Sequence, residues 1–251
     1  VRAIDLNADL GETVDGEPTA DDDAMFAVVS SASVACGGHA GDAVSMRQAA
    51  VRAARHGVAL GAHPSFPDRE GFGRVALRME PAPLRAAVAA QLADLVAAGG
   101  DVRYVKPHGA LYHAAGSEPE VADAVTAAIA DLADRLGRSL PVLGLGDALA
   151  AAAARAGLPF VREAFLDRGY LADGSLVPRG QPGALLRDAG EVAERAVRLA
   201  EQHEVVAVDG TVISTDAVSL CVHGDTPAAV EMARAVRHAL DVRGIVVRAP
   251  W

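Results

Sequence analysis

The 251-residue chain is long enough to bury a large core, and an α/β barrel of this size is routinely one domain. A formal net charge of −10 with no Lys/Arg cluster argues against nucleic acid or an anionic membrane as partner, and no apolar run reaches bilayer-spanning length. Cys36 and Cys221 lie in apolar runs and no signal peptide is in view, so the expectation is a cytoplasmic protein with two buried thiols.

Residues 3–9 (AIDLNAD) alternate as a strand does, with Ile4, Leu6 and Ala8 on one face and Asp5, Asn7 and Asp9 on the other. Three polar side chains on one face of an early strand suit a site better than an ordinary core. An acidic loop ending in Asp21, Asp22 and Asp23 predicts a capped helix running to Ser30. Residues 33–42 (SVACGGHAGD) read as strand, glycine turn and helix start, with Asp42 as N-cap of a helix over 43–56. The next strand, 58–63, ends on His63 and is stopped by Pro64. A loop leads from there to a helix near 81–98.

Tyr104–Tyr112 (YVKPHGALY) repeats the design most clearly: a short β run, Lys106 and His108 two residues apart on one face, then a glycine exit into a helix. A helix near 118–136 and a strand at 140–144 follow. GLGDAL (144–149) imitates a dinucleotide-binding turn but has Leu149 in place of the third glycine, so it reads as a tight turn. The strand 159–165 puts Val161, Glu163 and Phe165 on one face. The long Gly/Pro-rich segment 167–189, with Arg168 and Arg179, has the length of a functional lid. After a helix near 191–202, Asp209-Gly210 between β-branched runs predicts a hairpin over 205–214. VSLCVHGDTP (218–227) reads as the last core strand, ending on His223 and Asp225; a helix near 227–241 and a short strand at 244–248 close the chain.

Seven strand–helix units with polar residues at strand C-termini predict a closed parallel barrel whose site lies on that face. A doubly wound open sheet is the alternative. His39, His63, His108 and His223 would meet there with Asp5, Asn7, Lys106, Glu163 and Asp225. Two chemistries fit such a set. A divalent metal could sit on residues drawn from Asp5, His39, His63 and His108 and activate water. Alternatively, a carboxylate base, a histidine shuttle and Lys106 as anion stabiliser would work without metal. No G-x-S-x-G motif points to a covalent nucleophile.

Six motifs in order, DLNADLGE (5–12), ACGGHAGD (35–42), GAHPSFPDREGFGR (61–74), VKPHGALY (105–112), EAFLDRGYLADGSLVPR (163–179) and VHGDTP (222–227), closely resemble the LamB/YcsF family. The resemblance implies a single-domain, seven-stranded parallel TIM-like barrel of the glycoside hydrolase/deacetylase type. It also implies the role of the A subunit of an ATP-dependent 5-oxoprolinase, opening 5-oxo-L-proline to glutamate with partner subunits B and C. Gly38, Gly180 and His113 depart from the family pattern and bear on the substrate.

The five-membered lactam is a stable amide, so phosphorylation of its oxygen would ready it for water. The expected roles are Asp5 or Glu163 as base, His108 or His63 as proton shuttle, and Lys106 with Arg168 or Arg179 as anion clamp. Asn7, His39, His223 and Asp225 would complete the binding site. The sequence has no G-x-x-x-x-G-K-[ST] loop, which puts the nucleotide site on the partners. The rival readings are a metal-dependent amide or polysaccharide deacetylase, and a non-catalytic lactam- or sugar-binding regulatory subunit.

Overall fold

The apolar–polar alternation of residues 3–9 becomes β1 (Ala3–Leu10), buried along nearly its whole length with its polar face turned inward. The structure, a computed structural model, describes residues 2–224 and 228–251. Six further strands run parallel to β1: β2 (Ser31–Ala35), β3 (Ala59–His63), β4 (Val102–Val105), β5 (Val142–Gly144), β6 (Phe160–Phe165) and β7 (Ser219–Cys221). Each pairs with its sequence neighbour, and β7 returns to β1 through Asp5↔Ser219 and Asn7↔Cys221. The seven strands therefore close a parallel barrel. A two-residue β8 (Val246–Val247) pairs with the start of β1.

Helices cover the outside: α1 (Ala43–His56), α2 (Pro81–Ala97), α3 (Gly109–Ser117), α4 (Pro119–Leu136), α5 (Asp147–Arg155), α6 (Ala189–Gln202) and α7 (Ala229–Val242). Asp42 caps α1 as its sequence indicates, accepting from the Val44 and Ser45 amides while Ser45 Oγ accepts from the Asp42 amide. Such a box contributes about 1 kcal/mol. Two boundaries differ from expectation. The helix expected to reach Ser30 covers only Asp22–Phe26, because the Met25 carbonyl accepts from both Val28 and Val29 and closes the turn. The chain between β4 and β5 carries two helices, divided at Glu118 because Pro119 has no amide to continue α3. The Asp209-Gly210 turn forms as predicted, joining Glu204–Val206 antiparallel to Val212–Ser214.

The barrel interior is filled at its N-terminal end. Tyr104 is fully buried there, and a Cβ at Gly61 would lie 2.3 Å from its ring, so glycine at that position makes room for it. Trp251 stacks on Tyr104 at 4.2 Å and its indole N–H donates to Ser31 Oγ, closing the lower mouth. Gly146, in the turn that imitates a nucleotide loop, has φ +90° and a Cβ there would meet Gly116 O at 2.3 Å. Its glycine serves the close approach of α5 to the end of α3.

Candidate active site

From the plugged end upward, the inward face of β1 presents Asp5, Asn7 and Asp9 at three successive depths. Asp5 is lowest. Its carboxylate accepts from Ser219 (2.5 Å), Ser30 (2.6 Å) and Ser31 (2.7 Å). Burial raises its pKa to about 6, although these hydroxyls pull the other way.

One level higher lies Lys106, the chain's only lysine, 1% exposed. Its ammonium donates to Asp9 Oδ1 (2.9 Å), Asn7 Oδ1 (3.2 Å) and Cys221 Sγ (3.2 Å) and pairs with Glu163 Oε2 at 3.1 Å. Burial alone would lower its pKa, but Asp9, Cys221 and Glu163 outweigh that and hold it well above the usual lysine value. Burial likewise raises Asp9, yet His63 and Lys106 keep it well below the usual carboxylate range. Both stay charged in the barrel centre. Asn7 Nδ2 also donates to Ser219 (2.8 Å) and Glu163 (3.4 Å).

At the C-terminal ends of the strands the imidazoles meet. His63, last in β3, donates through Nδ1 to the Lys106 carbonyl (2.7 Å) and turns Nε2 to Asp9 Oδ2 (3.4 Å). His108, just before α3, donates through Nε2 to the Phe72 carbonyl (2.9 Å) and presents Nδ1 to His63 Nε2 at 3.0 Å. His39 stacks on His108 with centroids 3.6 Å apart and planes 5° from parallel, and its Nε2 meets Glu12 Oε1 at 3.1 Å. Burial, reinforced by the neighbouring rings, pushes His39 and His108 well below the usual histidine value, so both are neutral. Opposite them, His223 Nδ1 sits 2.9 Å from both oxygens of buried Asp167.

Above this floor is a cavity of about 370 Å³, the size of a small-ligand site. Asp9, Glu12, His63, Lys106, His108 and His223 line it from below, and Arg74, Arg168 and Arg179 give its mouth positive charge. Among the described residues, three donor sets converge closely enough to hold a metal ion: Asp9–His63–His108, Glu12–His39–His108 and Asp9–Cys221–His223.

The LamB/YcsF family profile matches residues 4–250. The chain is 50% identical to a Streptomyces griseus protein named as the A subunit of 5-oxoprolinase, covering 98% of this chain and 99% of the relative. It is 48% identical to the protein of the same name from Cutibacterium acnes, over 99% of both. Among solved structures, a lactam utilization protein from Thermus thermophilus superposes with TM-score 0.90 at 41% identity, covering 98% and 99%. The chain belongs to the LamB/YcsF family.

In this LamB/YcsF barrel the residues singled out by sequence fall into three groups. His63, Lys106, His108, His223, Arg168 and Arg179 line the cavity; Asn7, His39 and Glu163 pack directly behind its wall. Asp5 does not reach the cavity and joins none of the metal-competent sets, because two further turns of the strand pleat separate it from Asp9 and three serines enclose it. Asp225 lies outside the described residues.

Two expected roles change with the geometry. Lys106 is committed to Asp9, Asn7, Glu163 and Cys221, so it orders the carboxylates instead of clamping an incoming anion. Arg168 is buried, donating to the Ala184 and Val177 carbonyls, and fastens the 167–188 loop. That loop is packed at its root, with bridges Arg168↔Leu185 and Tyr170↔Leu176. Gly38, one of the departures from the family pattern, leaves room for Gln91, whose Oε1 would lie 2.3 Å from a Cβ there. Gln91 in turn holds both the N–H and C=O of Ser65.

Sequence reasoning passed over Asp9, Glu12 and Asp167. Asp9 shares the β1 alternation with Asp5 and Asn7, and that was the available signal. Glu12 and Asp167 lie past strand ends, where periodicity carries no information.

Proposed function

We propose that this barrel is the ring-opening component of an ATP-dependent 5-oxoprolinase, converting carbonyl-activated 5-oxo-L-proline to L-glutamate beside partner subunits B and C. What carries the reading is the end-to-end match with relatives named as the A subunit of 5-oxoprolinase. The cavity supplies the place: it has room for a five-membered ring, and its arginine-lined mouth suits a carboxylate or phosphate.

The chemistry follows from the floor. Water adds to the activated carbon, and the ring C–N bond breaks only if the departing nitrogen receives a proton; otherwise phosphate leaves and the lactam re-forms. Glu12, oriented by His39, faces the cavity as the base for water. His63 and His108 stand beside it to pass a proton to the ring nitrogen. Lys106 keeps Asp9 ionised and fixes both Asp9 and Glu163 in place. A second water releases phosphate from the resulting acyl phosphate, so one ring opening consumes two waters and one ATP.

The test is oxoproline-dependent glutamate formation by the reconstituted complex carrying Glu12→Gln. Loss of a general base predicts a fall of about 10²–10⁴ with ATP turnover by the partners retained. Wild-type glutamate formation would favour a non-catalytic lactam- or sugar-binding role instead.

A further inference from the structure

The two central imidazoles are each anchored to a backbone carbonyl, which fixes where their other nitrogens point. A carbonyl oxygen only accepts, so His63 Nδ1 and His108 Nε2 carry the ring protons that they give to Lys106 O and Phe72 O. That leaves His63 Nε2 and His108 Nδ1 as the ring nitrogens turned to the cavity floor. They face each other at 3.0 Å. Asp9 Oδ2 stands 3.4 Å from the first of them, so three donor atoms converge on one part of that floor.

We propose that the cavity floor is a divalent metal site of the zinc class, held by Asp9, His63 and His108, with a further position open to the cavity. The ligand spacing agrees. Metal–ligand bonds of about 2.0–2.2 Å at tetrahedral angles set the ligand atoms about 3.4 Å apart. His63 Nε2 stands 3.0 Å from His108 Nδ1 and 3.4 Å from Asp9 Oδ2. Lys106 holds the other Asp9 oxygen and turns Oδ2 toward the imidazoles. Donation of the outer ring N–H to a backbone carbonyl, which both histidines show, is the arrangement that orients metal-bound histidine. A carboxylate and two imidazoles suit zinc and its neighbours better than magnesium or calcium, which prefer all-oxygen shells.

The two competing sets fit less well. In Glu12–His39–His108 the two rings are stacked 3.6 Å apart and parallel, so an ion in the plane of one lies well out of the plane of the other. In Asp9–Cys221–His223 the sulfur already accepts from Lys106 and His223 Nδ1 is held by Asp167. His39 and Glu12 flank the ion without being needed to hold it.

The inference concerns the cavity assigned above and rests on that reading for the reaction, with Glu12 in place of His63 and His108 carrying the water proton to the ring nitrogen, since an ion would occupy their second nitrogens. Its existence is measured without turnover, so the two fail separately. The untagged chain is stripped with chelator, and Zn²⁺ or Mn²⁺ alone is titrated by calorimetry, with thermal unfolding followed in parallel. The expected result is one ion per chain and a melting temperature that rises with metal concentration. Co²⁺ should give the visible bands of a four-coordinate site.

Asp9→Asn and His108→Asn should each weaken binding by more than the roughly 10–100-fold that loss of an outer hydrogen-bond partner costs. His223→Asn should bind as wild type. No stoichiometric binding by folded wild type would overturn the proposal, whether or not the complex makes glutamate. So would loss of binding in His223→Asn with retention in Asp9→Asn. Should a variant fail to fold, the wild-type titration decides by itself.

Discussion

Lys106 shows how one residue sets the state of its neighbours. It is the only lysine among 251 residues, and it sits between Asp9 and Glu163 inside the barrel. Replacing it by methionine leaves two carboxylates buried without their cation. The expected cost is about 3–5 kcal/mol of unfolding free energy, measured by urea denaturation, because breaking a buried pair is far costlier than never having made it. A loss below about 1 kcal/mol would show that solvent reaches these groups.

Asp5 makes a second prediction at the same scale. Its pKa is raised from 3.8 to about 6, so the folded state binds this proton more tightly than the unfolded chain. The resulting stabilisation is fully present below pH 3.8 and is lost as pH rises through about 6. The stability of wild type relative to Asp5→Asn should therefore fall by about 2–3 kcal/mol between about pH 3 and about pH 7. A pH-independent difference would contradict the burial described here. Periodicity identified the inward face of β1, and with it Asp5, Asn7 and Asp9. It could not rank them by depth, because alternation gives a side and not a distance along the barrel axis. That is why Asp5 was expected where Asp9 stands.

At the scale of elements, the 167–188 loop separates two arginines that look alike in sequence. Arg168 is buried and bonded to two backbone carbonyls, whereas Arg179 is exposed at the mouth of the cavity. Arg168→Ala should lower the melting temperature by several degrees, since unsatisfied buried carbonyls cost about 1–3 kcal/mol each. Arg179→Ala should leave the melting temperature within about 1 °C and weaken turnover by the complex. The reverse pattern would mean that the two residues have exchanged roles.

Gly146→Ala is a third case. With φ +90° and a backbone oxygen 2.3 Å from the added methyl, it should destabilise by about 1–3 kcal/mol without touching the cavity. The strands, α1 and the hairpin were legible because each carries a local signal: alternation, an Asp cap, an Asp-Gly turn. The partners of Arg168 were not legible, since Val177 and Ala184 contribute only carbonyls, which every residue has.

For the whole molecule, the repetition of strand, polar terminus and helix was enough to anticipate seven-fold closure, and β7 does return to β1. The stacking of His39 on His108 and the approach of Cys221 to Lys106 needed the closed barrel to bring separate strands together. Among the described residues no helix is long and apolar enough to cross a membrane. The central claim is the proposed division of labour, in which the barrel would open the ring and carbonyl activation with ATP would belong to partner subunits. Without that activation the floor must attack an unstrained amide. Losing a single source of oxyanion stabilisation can already lower a rate by about 10²–10³. The decisive measurement is to incubate the purified chain with ATP, Mg²⁺ and 5-oxoproline, with and without subunits B and C, and to follow phosphate and glutamate. The account predicts both products only in the complete mixture; robust release of both by the chain alone would contradict it.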